Sequence, residues 1–136
     1  MTARTFPILG ADGEVKDNRL DSILLESLKI LPFQHEKYFI VAKNTVNLPV
    51  SMLVFSRARP EGIANANILM REAAVGQRTR RLPIRVCELG DGRWHILDGN
   101  STAMNALFSD WPDIPADIHR SSNVSRRNFG RNDSVV

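Results

Sequence analysis

The chain has 136 residues, of which 43% are hydrophobic and 24% are charged, and its formal net charge is +3. This is the composition of an ordinary soluble globular domain that is long enough to bury a core. No apolar run approaches the ~20 residues that span a membrane. The N-terminus lacks the pattern of a secretory signal, and the single cysteine, Cys87, excludes an internal disulfide. These features predict a cytoplasmic protein.

The positive charge is concentrated at the C-terminus. Four of the 18 basic residues and one of the 15 acidic residues lie from Arg120 onward, which leaves 14 of each in residues 1–119. The neutral charge of residues 1–119 weakens the case for nucleic-acid binding, because that function needs basic side chains clustered on a folded face. Residues 120–136 contain few apolar side chains and are predicted to form a disordered basic tail.

The first 45 residues are predicted to form an N-terminal extension. Residues 1–18 are polar and indicate a loose lead-in. Apolar residues at helical spacing predict a helix over 19–31, which Pro32 ends, and an apolar run predicts a buried strand over 38–42. The helix would pack on the core, or it would pair with a second copy of the chain in a homodimer.

The main domain is predicted to occupy residues 46–119. Helices and strands alternate there, which predicts an α/β (α+β) fold with a small mixed sheet and packed helices. The expected elements, in chain order, are a strand at 51–55, a helix from Pro60 to about Gly76, a hairpin of strands at 84–89 and 93–97, a helix at about 101–109 and a strand at 114–119.

The junction between the second hairpin strand and the next helix is the main candidate for a binding site. It consists of five small or polar residues: Asp98, Gly99, Asn100, Ser101 and Thr102. The first N–H groups of a helix have no intrahelical partner and favour an anion such as phosphate. The same residue types are also common N-caps, so a simple capped turn is the alternative. A glycine at position 99 would let a ligand approach the backbone, and valine there should then block binding while the fold survives.

The segment LPIRVCELGDGRWHILDGNSTAMNALFSDWPDIPADI resembles the ParB/sulfiredoxin superfamily, and the resemblance covers roughly residues 46–119. That family has a proline-started strand, a hairpin, a Gly-polar box, a helix rich in small residues and a strand beginning Ile-Pro. The matching parts are Pro83–Val86, Gly90–Gly92, Ile96–Asn100, Ala103–Ala106 and Ile114–Ile118.

The resemblance implies a ParB/sulfiredoxin-like domain that binds a nucleotide, with Mg²⁺, or another phosphate-bearing ligand at the box. It also implies nuclease or phosphoryl-transfer activity as candidate reactions. The family carries a basic residue just after the Gly-polar pair, whereas Ser101 and Thr102 occupy that place here. No cysteine lies within 98–102, which argues against sulfiredoxin activity. Cys87 lies in the preceding strand and is interpreted as a small core residue.

Arginine for the phosphate could come from another segment. Arg57 and Arg59 lie at the end of a strand, on one face by alternation, just before the Pro60 helix. They would grip a phosphate if that helix begins beside the box, or they would be solvated edge residues. Asn65 and Asn67 follow in the first turns of the helix, where one could reach the ligand or both could be surface amides.

A non-catalytic DNA-associated accessory or assembly module is the alternative function. It would use the basic tail and the arginines between residues 78 and 85, which are otherwise a solvated loop. No helix-turn-helix follows the domain in this sequence, which argues against sequence-specific DNA binding of the ParB kind. His95 lies in the middle of a strand, and we interpret it as structural.

Overall fold

The computed structural model describes residues 4–120, and no helix in this range is long and apolar enough to cross a membrane. It has a mixed α/β fold with four α-helices and seven strands. In chain order the elements are β1 (Thr5–Leu9), β2 (Val15–Arg19), α1 (Ser22–Ser27), α2 (His35–Tyr38), β3 (Val46–Pro49), β4 (Leu53–Val54), α3 (Pro60–Ala74), β5 (Ile84–Glu88), β6 (Trp94–Asp98), α4 (Asn100–Phe108) and β7 (Asp113–Ile118).

Five strands form the main sheet in the order β3-β7-β5-β6-β4. The pairs β3–β7 and β5–β6 are antiparallel, whereas β5–β7 and β4–β6 are parallel. Parallel pairs need a crossover connection, which α3 and α4 supply. Strand β6 lies between β5 and the edge strand β4, and only Gly99 separates its last residue, Asp98, from the start of α4 at Asn100.

The core lies between this sheet and the helices. Val86 and Ile96 are opposite each other in β5 and β6, and both are fully buried. Ile63 and Met70 of α3 and Met104 of α4 are also fully buried, which agrees with apolar helical faces turned toward the core. Helix α4 packs on β5 and β7, α3 packs on α4, and the N-termini of the two helices lie together at one end.

The elements predicted from the second half of the sequence are confirmed. Helix α3 begins at Pro60 and ends at Ala74, and Gly76 follows with a φ of 79°. Strands β5 and β6 form the expected antiparallel hairpin, and α4 begins at Asn100, within two residues of the predicted start. In the first half, the strand expected over 51–55 is shorter: a 3₁₀ turn covers Val50–Met52 and only Leu53–Val54 is strand.

The N-terminal extension differs most from the prediction. Residues 5–19 form a hairpin instead of a loose lead-in, and β1 lies against Phe55, whose backbone exchanges hydrogen bonds of 2.8 and 2.9 Å with Leu9 and Pro7. Phe6 packs edge to face on Phe55 with ring centroids 5.5 Å apart. The extension and residues 46–119 thus share one core.

The helix predicted over 19–31 is limited to Ser22–Ser27, because tertiary contacts replace helical hydrogen bonds beyond it. The Asn67 side chain bonds both backbone groups of Lys29, and Ser109 and Trp111 bond those of Leu31. Leu20, Leu28 and Leu31 of the predicted face are still buried without a continuous helix, whereas Leu24 is partly buried and Ile23 is 74% exposed. The predicted basic tail lies outside the described residues, apart from Arg120.

The predicted strand over 38–42 is also wrong. Tyr38 ends α2, and only Phe39 forms a bridge, to Arg81. Ile40 and Val41 are 42% and 59% exposed. Tyr38 and Phe39 are buried against Trp111, with ring centroids 5.3 and 6.2 Å from it. Aromatic packing, which alternation in the sequence does not reveal, determines this segment.

Candidate functional site

The junction after β6 is a strand-to-helix turn with a glycine cap. Gly99 is the N-cap of α4, with φ of 98°, and its carbonyl accepts the first helical hydrogen bond from the Ala103 N–H at 2.9 Å. No side chain caps this helix. The N–H groups before Ala103 therefore belong to the set that an α-helix leaves without an intrahelical partner. The polar residues of the junction are not N-caps, contrary to the alternative considered from the sequence.

Two of these polar side chains bind neighbouring segments instead. The Asn100 side-chain oxygen accepts a hydrogen bond of 2.9 Å from the Ser56 N–H, and the Thr102 hydroxyl accepts one of 3.0 Å from Nε of Arg81. Both side chains are buried, at 8% and 2% exposure. They hold the segment that precedes α3 and the segment that precedes β5 against the first turn of α4.

The N-terminus of α3 lies beside that of α4. A Cβ atom built on Gly62 would lie 3.0 Å from the Ser101 hydroxyl oxygen, so the first turns of the two helices are in close contact. Arg59 is the N-cap of α3, Pro60 follows it, and no side chain caps this helix either. Two helix N-termini, each with partial positive charge, thus point toward one place on the surface.

A cavity of about 170 Å³ lies at this place. Its charged side chains are three arginines from two separate segments and one carboxylate. The residues that line it are Arg57, Arg59, Arg81, Asp98, Gly99, Asn100, Ser101 and Thr102. All five residues of the predicted box therefore lie at the cavity. Arg57 and Arg59 lie there too, as expected if α3 begins beside the box.

The two asparagines proposed from the sequence do not line the cavity. Asn67 is 2% exposed and its side chain bonds Lys29 and the buried Asn105, so its amide is part of the core. Asn65 is exposed on another face of α3. Helical spacing contains this information, because Asn67 follows the buried Ile63 by four residues and so shares its face.

Arg81 is the cavity residue that sequence reasoning missed. The sequence pattern places it in a basic loop, but other arginines of that loop have separate partners: Arg78 pairs with Glu72 at 2.8 Å and Arg80 donates to the Glu36 carbonyl at 2.9 Å. Arg81 is directed to the cavity because its backbone pairs with Tyr38 and Ile40. No local pattern could have separated it from its neighbours.

The electrostatics of Arg81 reflect its position at the wall of the cavity. Burial lowers the pKa of the Arg81 guanidinium, and the Asp98 carboxylate opposes that shift. None of the salt bridges among residues 4–120 involves Arg57, Arg59 or Arg81. The three guanidiniums thus retain donors that can bind an anion.

Gly99 has a structural role that the sequence interpretation overlooked. A Cβ atom at this position would lie 2.7 Å from Cγ2 of Ile84 and 3.2 Å from its Cα. The positive φ is also unfavourable for any residue with a side chain. A valine at Gly99 would therefore disturb the fold itself, and it is unsuitable as a test of ligand binding alone.

A hydrogen-bonded network lies behind the site, on the strand that precedes it. The Ser56 hydroxyl donates to the carbonyl of Ile96, so its oxygen accepts a hydrogen bond from Nε2 of His95 at 3.0 Å. In the neutral ring Nδ1 then carries no proton and faces the thiol of Cys87 at 4.0 Å. Cys87 is half-buried rather than fully buried, and burial raises the pKa of its thiol.

This network predicts a pH dependence of stability. Burial lowers the pKa of His95 below its ordinary value of 6.5. The unfolded chain then binds a proton more readily than the folded protein, so stability should be retained above pH 6.5 and should fall as the pH drops toward the lowered pKa. We expect urea unfolding of His95→Gln to show a smaller loss between pH 7.5 and pH 5 than that of the wild type. If stability falls equally with pH in the two proteins, His95 is not the group that causes the loss.

Comparisons with known proteins give little beyond this geometry. No family model matches the chain, and no curated protein matches its sequence. Among solved structures, sulfiredoxin from Arabidopsis thaliana is similar at 17% sequence identity and a TM-score of 0.40, over 57% of this chain and 85% of that one.

Proposed function

We propose that this protein binds a phosphate-bearing ligand in the cavity between the N-termini of α3 and α4. The observation that carries the proposal is the convergence of Arg57, Arg59 and Arg81 on the uncapped start of α4. A nucleotide is the ligand that the sequence resemblance implies, and the cavity supports the phosphate part of that expectation. The proposal concerns binding, whereas nuclease and phosphoryl-transfer activity stay predictions.

The lining of the cavity carries more positive than negative charge, and an anion would compensate the excess. Three guanidiniums near one another repel, and two helix N-termini add partial positive charge at the same place. Asp98 is the one carboxylate that lines the cavity. A phosphate oxygen would accept charge-assisted hydrogen bonds from the guanidiniums and from the backbone N–H groups of α4.

The test is calorimetric titration with inorganic phosphate and with adenosine monophosphate. Because a hydrogen bond to a charged group contributes about 1.5–3 kcal/mol, we expect Arg59→Ala to bind on the order of 10- to 100-fold more weakly. The slope of affinity against salt concentration should also become smaller, because one charge contact is lost. Melting curves should show little change, since Arg59 is exposed.

Arg19→Ala is the matched control, because Arg19 is also exposed, lies on β2 and does not line the cavity. This variant should retain wild-type affinity despite the same loss of charge. Absence of phosphate binding by the wild type at millimolar concentration would contradict the proposal. If Arg59→Ala and Arg19→Ala weaken phosphate binding equally, the effect comes from net charge alone and the proposed site is wrong.

A further inference from the structure

The cavity is small and entirely polar. Its volume of about 170 Å³ is below the range of about 300–1,000 Å³ that is usual for pockets enclosing drug-sized ligands. Arginine, aspartate, glycine, asparagine, serine and threonine line it, and no aromatic or aliphatic side chain is among these described residues. It therefore lacks the space to enclose a nucleobase together with a phosphate, and no aromatic ring lines it on which a base could stack.

The charge of the cavity matches one phosphate group. Three guanidiniums and the Asp98 carboxylate leave a formal charge of +2. A phosphate monoester carries about −1.5 to −2 near neutral pH, so a single group is neutralised without another cation. A triphosphate would bring more negative charge than the lining can balance.

The lining does not fit a divalent cation. Mg²⁺ requires octahedral oxygen ligands and is usually held by one or two carboxylates together with phosphates. Asp98 is a single carboxylate, it lies among three guanidiniums, and no group of three or more His, Cys, Asp or Glu residues in the described chain could hold a metal. The arginines supply the positive charge that a metal would otherwise bring to the phosphate.

We infer that the site takes one terminal phosphate of a phosphomonoester, without Mg²⁺ and without selecting the group that the phosphate is attached to. The inference rests on the proposed function and narrows its ligand to a class. Ribose 5-phosphate and the nucleoside monophosphates are members of this class, because each presents one phosphate that enters the cavity. The rest of each molecule stays outside the cavity.

Calorimetric titration of the wild-type chain with a panel of phosphates tests the inference. Ribose 5-phosphate, AMP, CMP and GMP should bind with dissociation constants within about threefold of one another, and adenosine should not bind. EDTA should leave these values unchanged, and ATP with Mg²⁺ should bind no more than tenfold tighter than AMP. A tenfold preference for one base, or binding that requires Mg²⁺, would overturn the inference.

The variant Asp98→Asn separates the two roles of its carboxylate. Without a metal, removing a negative charge from the cavity should tighten phosphate binding on the order of fivefold. If Asp98 instead held Mg²⁺, the variant would weaken binding of the Mg²⁺-nucleotide complex, and the inference would be wrong. Because Asp98 is exposed, the variant should fold. Base-selective or Mg²⁺-dependent binding that is lost in Arg59→Ala would overturn this inference alone, whereas no binding of any phosphate would overturn the proposed function too.

Discussion

Replacing Gly99 by alanine is expected to lower the free energy of unfolding by about 2–5 kcal/mol. One part is the backbone: a residue with a Cβ in the left-handed region costs roughly 1–2 kcal/mol. The other part is packing, because the new Cβ would lie 2.7 Å from Cγ2 of Ile84 and the core must shift, which typically costs about 1–3 kcal/mol. The shift of the urea unfolding midpoint measures this loss, provided that the slope of unfolding free energy against urea concentration is the same for both proteins.

Gly76→Ala is the control for the backbone part. Gly76 also has a positive φ, 79°, but a Cβ there would meet nothing within 4 Å. This variant should lose only the roughly 1–2 kcal/mol of backbone strain. If the two alanine variants lose the same unfolding free energy, the contact with Ile84 adds no cost at position 99. A stable Gly99→Val variant that has lost only phosphate binding would restore the interpretation made from the sequence.

The second large effect is expected from Asn67→Leu, at about 2–4 kcal/mol of lost stability. The Asn67 amide donates to the Lys29 carbonyl and to Oδ1 of Asn105, both at 2.8 Å, and accepts from the Lys29 N–H at 3.2 Å. Leucine has a similar volume but leaves the partner groups without hydrogen bonds, at about 1–3 kcal/mol for each buried group that finds no other partner. Thermal and urea unfolding measure this loss.

Asn65→Leu is the matched control, on the same helix but exposed to solvent. It should change stability by no more than about 0.5 kcal/mol. Phosphate affinity of the folded Asn67→Leu protein should remain close to that of the wild type, because Asn67 does not line the cavity. Loss of phosphate binding with unchanged stability would instead make Asn67 a ligand residue, as one sequence hypothesis had it.

Sequence alone determined the elements whose signals are local. The start of α3 follows from Pro60, and the hairpin of β5 and β6 follows from the glycines between the strands. The box after β6 and the pair Arg57 and Arg59 were identified for the same reason. Strand alternation and the break at Gly99 depend on residues only a few positions away, so these signals are readable without the rest of the molecule.

The tertiary structure decided what depends on distant partners. Arg81 reaches the cavity because its backbone pairs with Tyr38 and Ile40, about 40 positions earlier in the chain. Helical spacing places Asn67 on the buried face of α3, but only the folded chain shows that Lys29 and Asn105, each 38 positions away, satisfy its amide. A residue's own sequence neighbourhood contains no information on such partners, since burial and hydrogen bonding are settled by which segments the folded chain brings together. The third arginine of the cavity could therefore be found only in three dimensions.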